Sequence, residues 1–321
     1  MSVETPVPFD LDLTVRSHGF YDLSPWSYDP ERRLLARPLL LASGRAAIAQ
    51  MAPRGKSGEG LALRVLAEGR LTAAEAREAR AQVRTCLALD ENLAPFYARV
   101  RELEAAPPPR RPLPPLAWAA ERGAGRLLRS PTVFEDAVKT LCTTNCTWAL
   151  TRVMVRNLVE RLGAPAPLGG RTFPPAAAMA ERPESFYRDA IRAGYRAGAM
   201  RTVARDVASG AIDMEGWRDP SLATEELAER IRELPGFGPY ATEHLLRLLG
   251  RYDHLALDSW TRGKLARLRG ARRPPTDRAV ARWYAPYGRF AGLAMWLEVT
   301  ADWHGPVPTW PEPAPAKAPS E

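Results

Sequence analysis

Past residue 115 the chain offers helices and almost nothing else, and that asymmetry restricts its fold more than any other feature. Apolar residues recur there at three- and four-residue intervals, the spacing of a helix face. They predict helices over 131–142, 147–162, 184–208, 223–233, 239–249, 259–268 and 277–300. The first third reads differently. Phe9, Leu11, Leu13 and Val15 alternate with Asp10, Asp12 and Thr14, and Leu61, Leu63 and Val65 repeat the alternation after a Gly-rich turn, GKSGEG. A period of two is the mark of half-buried antiparallel strands. Between these runs RRLLARPLLLASGRAAIAQM supplies one or two more strands, with Pro38 restricting where the first can pair. Thr72 to Glu75 reads as a capping box, opening a helix with Ala76, Ala79, Val83 and Cys86 or Leu87 on its apolar side. The expected fold class is α+β, a mainly α-helical core with a small N-terminal antiparallel β-sheet domain.

The stretch PPPRRPLPP, residues 107–115, cannot be helical. It divides an N-terminal β-sheet domain with helices at 1–106 from a helical domain at 116–305, as a Pro-rich linker. Residues 306–321, PVPTWPEPAPAKAPSE, read as a disordered Pro-rich tail. No internal repeat is present.

A net charge of +8 suits a polyanionic partner, and it equally suits solubility alone. The excess is arginine, which fits phosphate forks and base stacking, although a GC-rich genome produces the same bias. Three cysteines, Cys86, Cys142 and Cys146, cannot build a paired disulfide framework, and no apolar run approaches the roughly 20 residues of a membrane helix. The N-terminus MSVETPVPFDLD lacks a basic region followed by an apolar one. The expectation is a monomer, cytoplasmic and bacterial in character, associated with the nucleoid and not with a membrane.

Around ELPGFGPYATEHL, residues 233–245, Leu227, Ile231 and Leu234 lead to a stop at Pro235, and Ala241, Leu245, Leu248 and Leu249 carry a second helix to Gly250. Gly236, Phe237 and Gly238 between them predict a tight turn with positive φ. Unpaired amides at such a turn and the positive end of the next helix form a site for phosphate. An ordinary helix–helix turn is the plainer reading. Twenty residues past Gly238, LALDSWTRGKL places Asp258 at the start of another helix, where Asp is a common N-cap with no further role. From Ser259 to Thr276 no acidic residue appears, while Arg262, Lys264, Arg267, Arg269, Arg272 and Arg273 are basic. A carboxylate beside that stretch, just after a phosphate-gripping turn, is a less ordinary arrangement.

LPGFGPYATEHLL followed by LALDSWTR resembles the helix-hairpin-helix (HhH-GPD) DNA glycosylases, whose signature is a hairpin, a Gly/Pro-rich turn and a catalytic aspartate. SPTVFEDAVKTLCTTNCTWALTR, AIRAGYRAGAMRTVARDVASG and YAPYGRFAGLAMWL resemble segments of the 8-oxoguanine and 3-methyladenine II branches. The likeness covers about 120–300 well, and FDLDLTVRSHGFYDLSPWSYDP resembles the N-terminal β domain of those branches less specifically. It implies a partner, double-stranded DNA carrying a damaged base, and an enzyme of base excision repair. It also implies roles. The hairpin backbone at Gly236, Phe237, Gly238 and Tyr240 would grip DNA, and Asp258 would stabilise the sugar cation formed as the C1′–N bond breaks. Asn145 falls on the position that fills the gap left by the extruded base, or else caps the second helix. Trp148, Tyr195, Tyr240 and Trp260 are candidates for the base slot, although aromatics on helices are more often core. Arg262 and Lys264 would contact phosphates.

The chain departs from that pattern twice. Members that also cleave the strand carry a lysine where Tyr240 stands, so the resemblance implies a monofunctional glycosylase that leaves an abasic site. Other members hold an iron–sulfur cluster near the C-terminus, and no cysteine lies beyond Cys146. The expectation is no cofactor and no metal, with at most a structural monovalent cation at the hairpin; Cys142 and Cys146 read as buried thiols. Oxidised and alkylated purines are the substrates expected first. A non-catalytic DNA-binding module and a bifunctional lyase using another amine remain alternatives.

Overall fold

A computed structural model describes residues 2–54, 60–107 and 113–306. Most of the GKSGEG turn, the middle of the Pro-rich stretch and nearly all of the 306–321 tail lie outside the described residues.

Five antiparallel strands form one sheet in the order β1-β5-β4-β3-β2, with β1 at Ser2–Val3, β2 at Ser27–Asp29, β3 at Leu34–Leu40, β4 at Ala46–Pro53 and β5 at Leu61–Ala67. Pro38 sits opposite Ile48 of β4, and β2 pairs only with residues 34–36 of β3, so its missing donor costs no ladder bond on that side. The predicted strand at Phe9–Val15 is instead a short helix, α1 (Leu11–Val15). Asp10 caps it, accepting a hydrogen bond from the Leu13 amide at 3.0 Å. Leu11 and Val15, one helical turn apart, enter the core beneath the sheet, whereas Leu13 enters the helical core. A short helix wedged between two apolar layers needs apolar residues on both sides, so Leu11, Leu13 and Val15 alternate with polar residues as they would in a strand, although Thr14 is buried too.

Helix α2 (Ala73–Cys86) opens with the expected capping box, Thr72 and Glu75 bonding each other's backbone, and closes the sheet core with Ala79, Val83 and Cys86. Helices α3 (Ala94–Ala105), α4 (Ala117–Arg122), α5 (Val133–Thr143) and α6 (Trp148–Leu162) then begin a second, larger core. Thr132 and Thr147 cap α5 and α6. The segment predicted helical over 184–208 divides into a π-helical turn at Phe186–Ala190, a 3₁₀ turn at Gly194–Arg196 and α8 (Ala197–Ala208), which follows α7 (Ala176–Ala180). Positive φ at Arg192 and Gly194 breaks the run. The segment predicted over 277–300 divides into α12 (Asp277–Tyr284), a 3₁₀ stretch at Ala285–Phe290 and α13 (Ala291–Val299), because Gly288 sits at φ +57°. Between them in sequence lie α9 (Thr224–Arg232), α10 (Pro239–Leu248) and α11 (Ser259–Leu268). Among the described residues no helix is long and apolar enough to cross a membrane.

Candidate functional site

The hairpin joining α9 to α10 uses its two glycines differently. Gly236 has φ +84°, and a side chain there would strike Leu141. Gly238 is the N-cap of α10 in extended conformation, with open space where a Cβ would stand. The expected positive φ therefore applies to Gly236 alone. Phe237 is buried, and its amide donates to the Leu234 carbonyl at 3.1 Å, so that amide is committed, while those of Gly238 and of the first turn of α10 remain for a ligand.

Asp258 is the N-cap of α11, and one carboxylate oxygen accepts from the Thr261 amide at 2.7 Å. Its other oxygen has no partner among the described residues. Cap and cavity wall are one residue here: Asp258 lines a cavity of about 740 Å³ together with Tyr240, Trp148 and Trp260. That volume lies within the range of small-molecule pockets. Burial, reinforced by the negative charge of Asp258, raises the Tyr240 phenol above its usual range. The hairpin and the α11 terminus thus meet at one wall.

The remaining walls come from places that the sequence did not single out. Residues 16–21, between α1 and the sheet, supply Arg16, His18, Gly19, Phe20 and Tyr21. Gly19 lies beneath the Trp148 ring, where a Cβ would stand 2.7 Å from it. The Trp148 indole donates to Asp22 at 2.9 Å. Trp296 of α13 and Trp303 just beyond it join Trp260, with ring centroids 5.8–6.3 Å apart. Arg247 stacks on Trp296 at 4.4 Å, and the Trp296 indole donates to the Ser17 carbonyl at 2.8 Å, fixing that ring. His244 follows Tyr240 by four residues and shares its helix face, a spacing that could have flagged it.

Tyr195 is not part of this lining. It is exposed and packs at the 143–148 loop, its hydroxyl 3.4 Å from the Asn145 amide nitrogen. Asn145 itself is exposed at φ +44° and does not cap α6, since Thr147 does. Arg262 pairs with Asp277 at 2.8 Å and Lys264 with Asp302 at 2.5 Å. The basic stretch after Asp258 is therefore partly neutralised by acids from other elements. Among the described residues no group of three or more His, Cys, Asp and Glu side chains could hold a metal ion. Cys146 lies 3.0 Å from the Cys142 carbonyl, and burial pushes the Cys142 thiol up to about 12.

No protein-family model and no curated protein sequence matches the chain. Solved structures do match it over nearly its whole length. A 3-methyladenine DNA-glycosylase from Archaeoglobus fulgidus aligns with TM-score 0.70 at 18% identity, covering 93% of this chain and 98% of its own. MBOgg1, solved with a low-affinity DNA ligand, aligns with TM-score 0.68 at 17% identity over 94% of each chain. A Clostridium acetobutylicum 8-oxoguanine glycosylase/lyase aligns with TM-score 0.61 at 14% identity, covering 89% of this chain and 94% of its own. The chain has the fold of the helix-hairpin-helix DNA glycosylases, α+β with a helical core.

Proposed function

We propose that this protein is a monofunctional DNA glycosylase of base excision repair, which hydrolyses the N-glycosidic bond of a flipped-out damaged base and leaves an abasic site. The observation that carries the reading is Asp258, an N-cap carboxylate with one oxygen uncommitted, on the wall of an aromatic cavity beside the hairpin. A base must leave the duplex to be cut, and aromatic rings hold it once it is out. As the C1′–N bond breaks, positive charge grows on the sugar; Asp258 stabilises that charge and orients water toward C1′. The open backbone at Gly238 and the amides at the start of α10 grip the adjacent phosphate. Asn145, at the exposed tip of its loop with Tyr195 beside it, fills the gap in the duplex.

Tyr240 cannot form an imine with the sugar. Lys264 is held by Asp302, and Lys139 is fully buried against Glu135, so neither supplies the amine of a lyase. The solved proteins of the same fold named above act on alkylated and oxidised purines, and those are the substrates proposed here. Duplexes each carrying one such lesion, incubated with the protein, should break only after hot alkali, and borohydride should trap no covalent adduct. Asp258→Asn should lower single-turnover base release by roughly 10²–10⁴-fold with duplex affinity unchanged. Salt-sensitive binding without release from any lesion would leave only a DNA-binding module.

A further inference from the structure

The floor of the cavity carries two buried histidines, and three of their four ring nitrogens are unspent among the described residues. His244 is 7% exposed, and neither of its ring nitrogens has a hydrogen-bond partner among the described residues. His18 is 3% exposed, with Nε2 at 2.6 Å from the Leu128 carbonyl and Nδ1 unpartnered. A carbonyl can only accept, so Nε2 of His18 carries the proton, and Nδ1 of the neutral ring is a bare acceptor. The rings meet edge to face at 6.1 Å, with Phe20 against both and Tyr240 stacked on His244 at 6.0 Å. Burial holds both imidazoles below their ordinary range, with Arg247 acting in the same direction, so both rings are neutral near pH 7. Native interiors leave few buried polar groups unpaired, because such groups are costly. Two histidines left so on a cavity floor point to a ligand that completes them.

We propose that His18 and His244 select the everted base by its hydrogen-bonding edge: Nδ1 of His18 takes an N–H from the base, and His244 presents one donor and one acceptor beside it. This rests on reading the cavity as a base slot. The class of ligand is a purine whose edge carries an amino or ring N–H group next to an acceptor. Both histidines touch the base and set specificity; the bond-breaking step remains with Asp258.

Free bases test this without any chemistry. Trp148, Trp260, Trp296 and Trp303 line the cavity, so their emission reports occupancy by a titrated base. Adenine with purine, and guanine with hypoxanthine, are pairs that each differ by one amino group. The full-length protein should discriminate at least one pair by roughly tenfold or more, since a polar site rejects a ligand lacking its partner group. His244→Leu, which removes two unpaired nitrogens while keeping an apolar body, should reduce that ratio to within about twofold. His244→Gln, which keeps a donor and an acceptor, should restore part of it. The proposal is overturned if neither pair is discriminated, or if the ratio survives in His244→Leu. Discrimination by a protein that releases no lesion base would leave the floor standing and remove the glycosylase reading. Excision unchanged by His244→Leu across the lesion panel would do the reverse.

Discussion

Gly236 and Gly238 stand two residues apart but answer to different constraints. An alanine at Gly236 would be forced to φ +84° with its Cβ 2.7 Å from Leu141 and 3.3 Å from Ala199. Left-handed backbone and overpacking together should cost about 2–4 kcal/mol, visible as a lower urea midpoint at unchanged slope. Gly238→Ala meets no neighbour and no unfavourable φ, so its stability should stay within about 0.5 kcal/mol. Its methyl group would stand where the proposed reading seats a phosphate, and affinity for an abasic duplex at fixed salt should fall roughly tenfold. Equal affinity would remove the hairpin from the interface. At this scale the sequence was partly legible. Asp258, Tyr240, Trp148 and Trp260 were singled out from it and share one cavity, because short-range signals such as a cap, a turn and their spacing survive in sequence. His18, Phe20 and Trp303 were not, because they reach the cavity from segments outside the long helices, and only the fold brings them there.

Elements were legible where one face alone is buried, as in α6, α9 and α11. They were misread where burial comes from two sides, as in α1, or where a glycine interrupts a helical pattern, as before α8 and α13. What joins the sheet to the helical core was not legible at all. Arg37 of β3 reaches Glu135 of α5 with one guanidinium nitrogen 2.9 and 3.2 Å from its two oxygens, and Lys139 one turn later adds a contact of 2.7 Å. All three side chains are buried, so one carboxylate balances two cations away from water. Although burial opposes its ionisation, Arg37 and Lys139 hold Glu135 below the usual carboxylate range, while burial lowers Lys139. Glu135→Gln leaves two uncompensated cations and should destabilise by about 3–5 kcal/mol. Lys139→Met leaves a balanced Arg37–Glu135 pair and should be near neutral or stabilising. Urea melts of the two variants should therefore move apart, and a large loss in both would mean that Lys139 contributes to stability rather than adding an excess charge.

Over the whole molecule, buried imidazoles set the response to acid. His18 and His304 have pKa values lowered to about 4 by burial, and His244 lies well below its ordinary 6.5 for the same reason. A depressed folded pKa means that the unfolded chain takes up protons the folded one refuses. The stability associated with these groups is therefore complete above about pH 6.5 and drains as pH falls toward 4. His18 alone is worth on the order of 3 kcal/mol across that interval. Asp136 acts the other way: burial raises its pKa to about 6, so its contribution is complete below about pH 4 and is lost as pH rises through 6. Glu104 and Glu215, raised by burial, and His254, raised first by its hydrogen bond with Glu243, act with Asp136. Glu75, Glu135 and Asp219, held low, act with the three imidazoles, and the larger set leaves a net loss on acidification. The melting temperature should thus fall steadily between pH 7 and pH 4.5. Asp136→Asn keeps an acceptor for the Ser130 amide, which the carboxylate meets at 2.8 Å, but removes one opposing group. Its melting temperature should fall more steeply than that of the wild type, whereas His244→Leu should fall less. A wild-type melting temperature that is flat or rises toward pH 5 would show that the unfolded chain gains no proton advantage from these histidines, and with it the neutral, closed floor of the cavity would be lost.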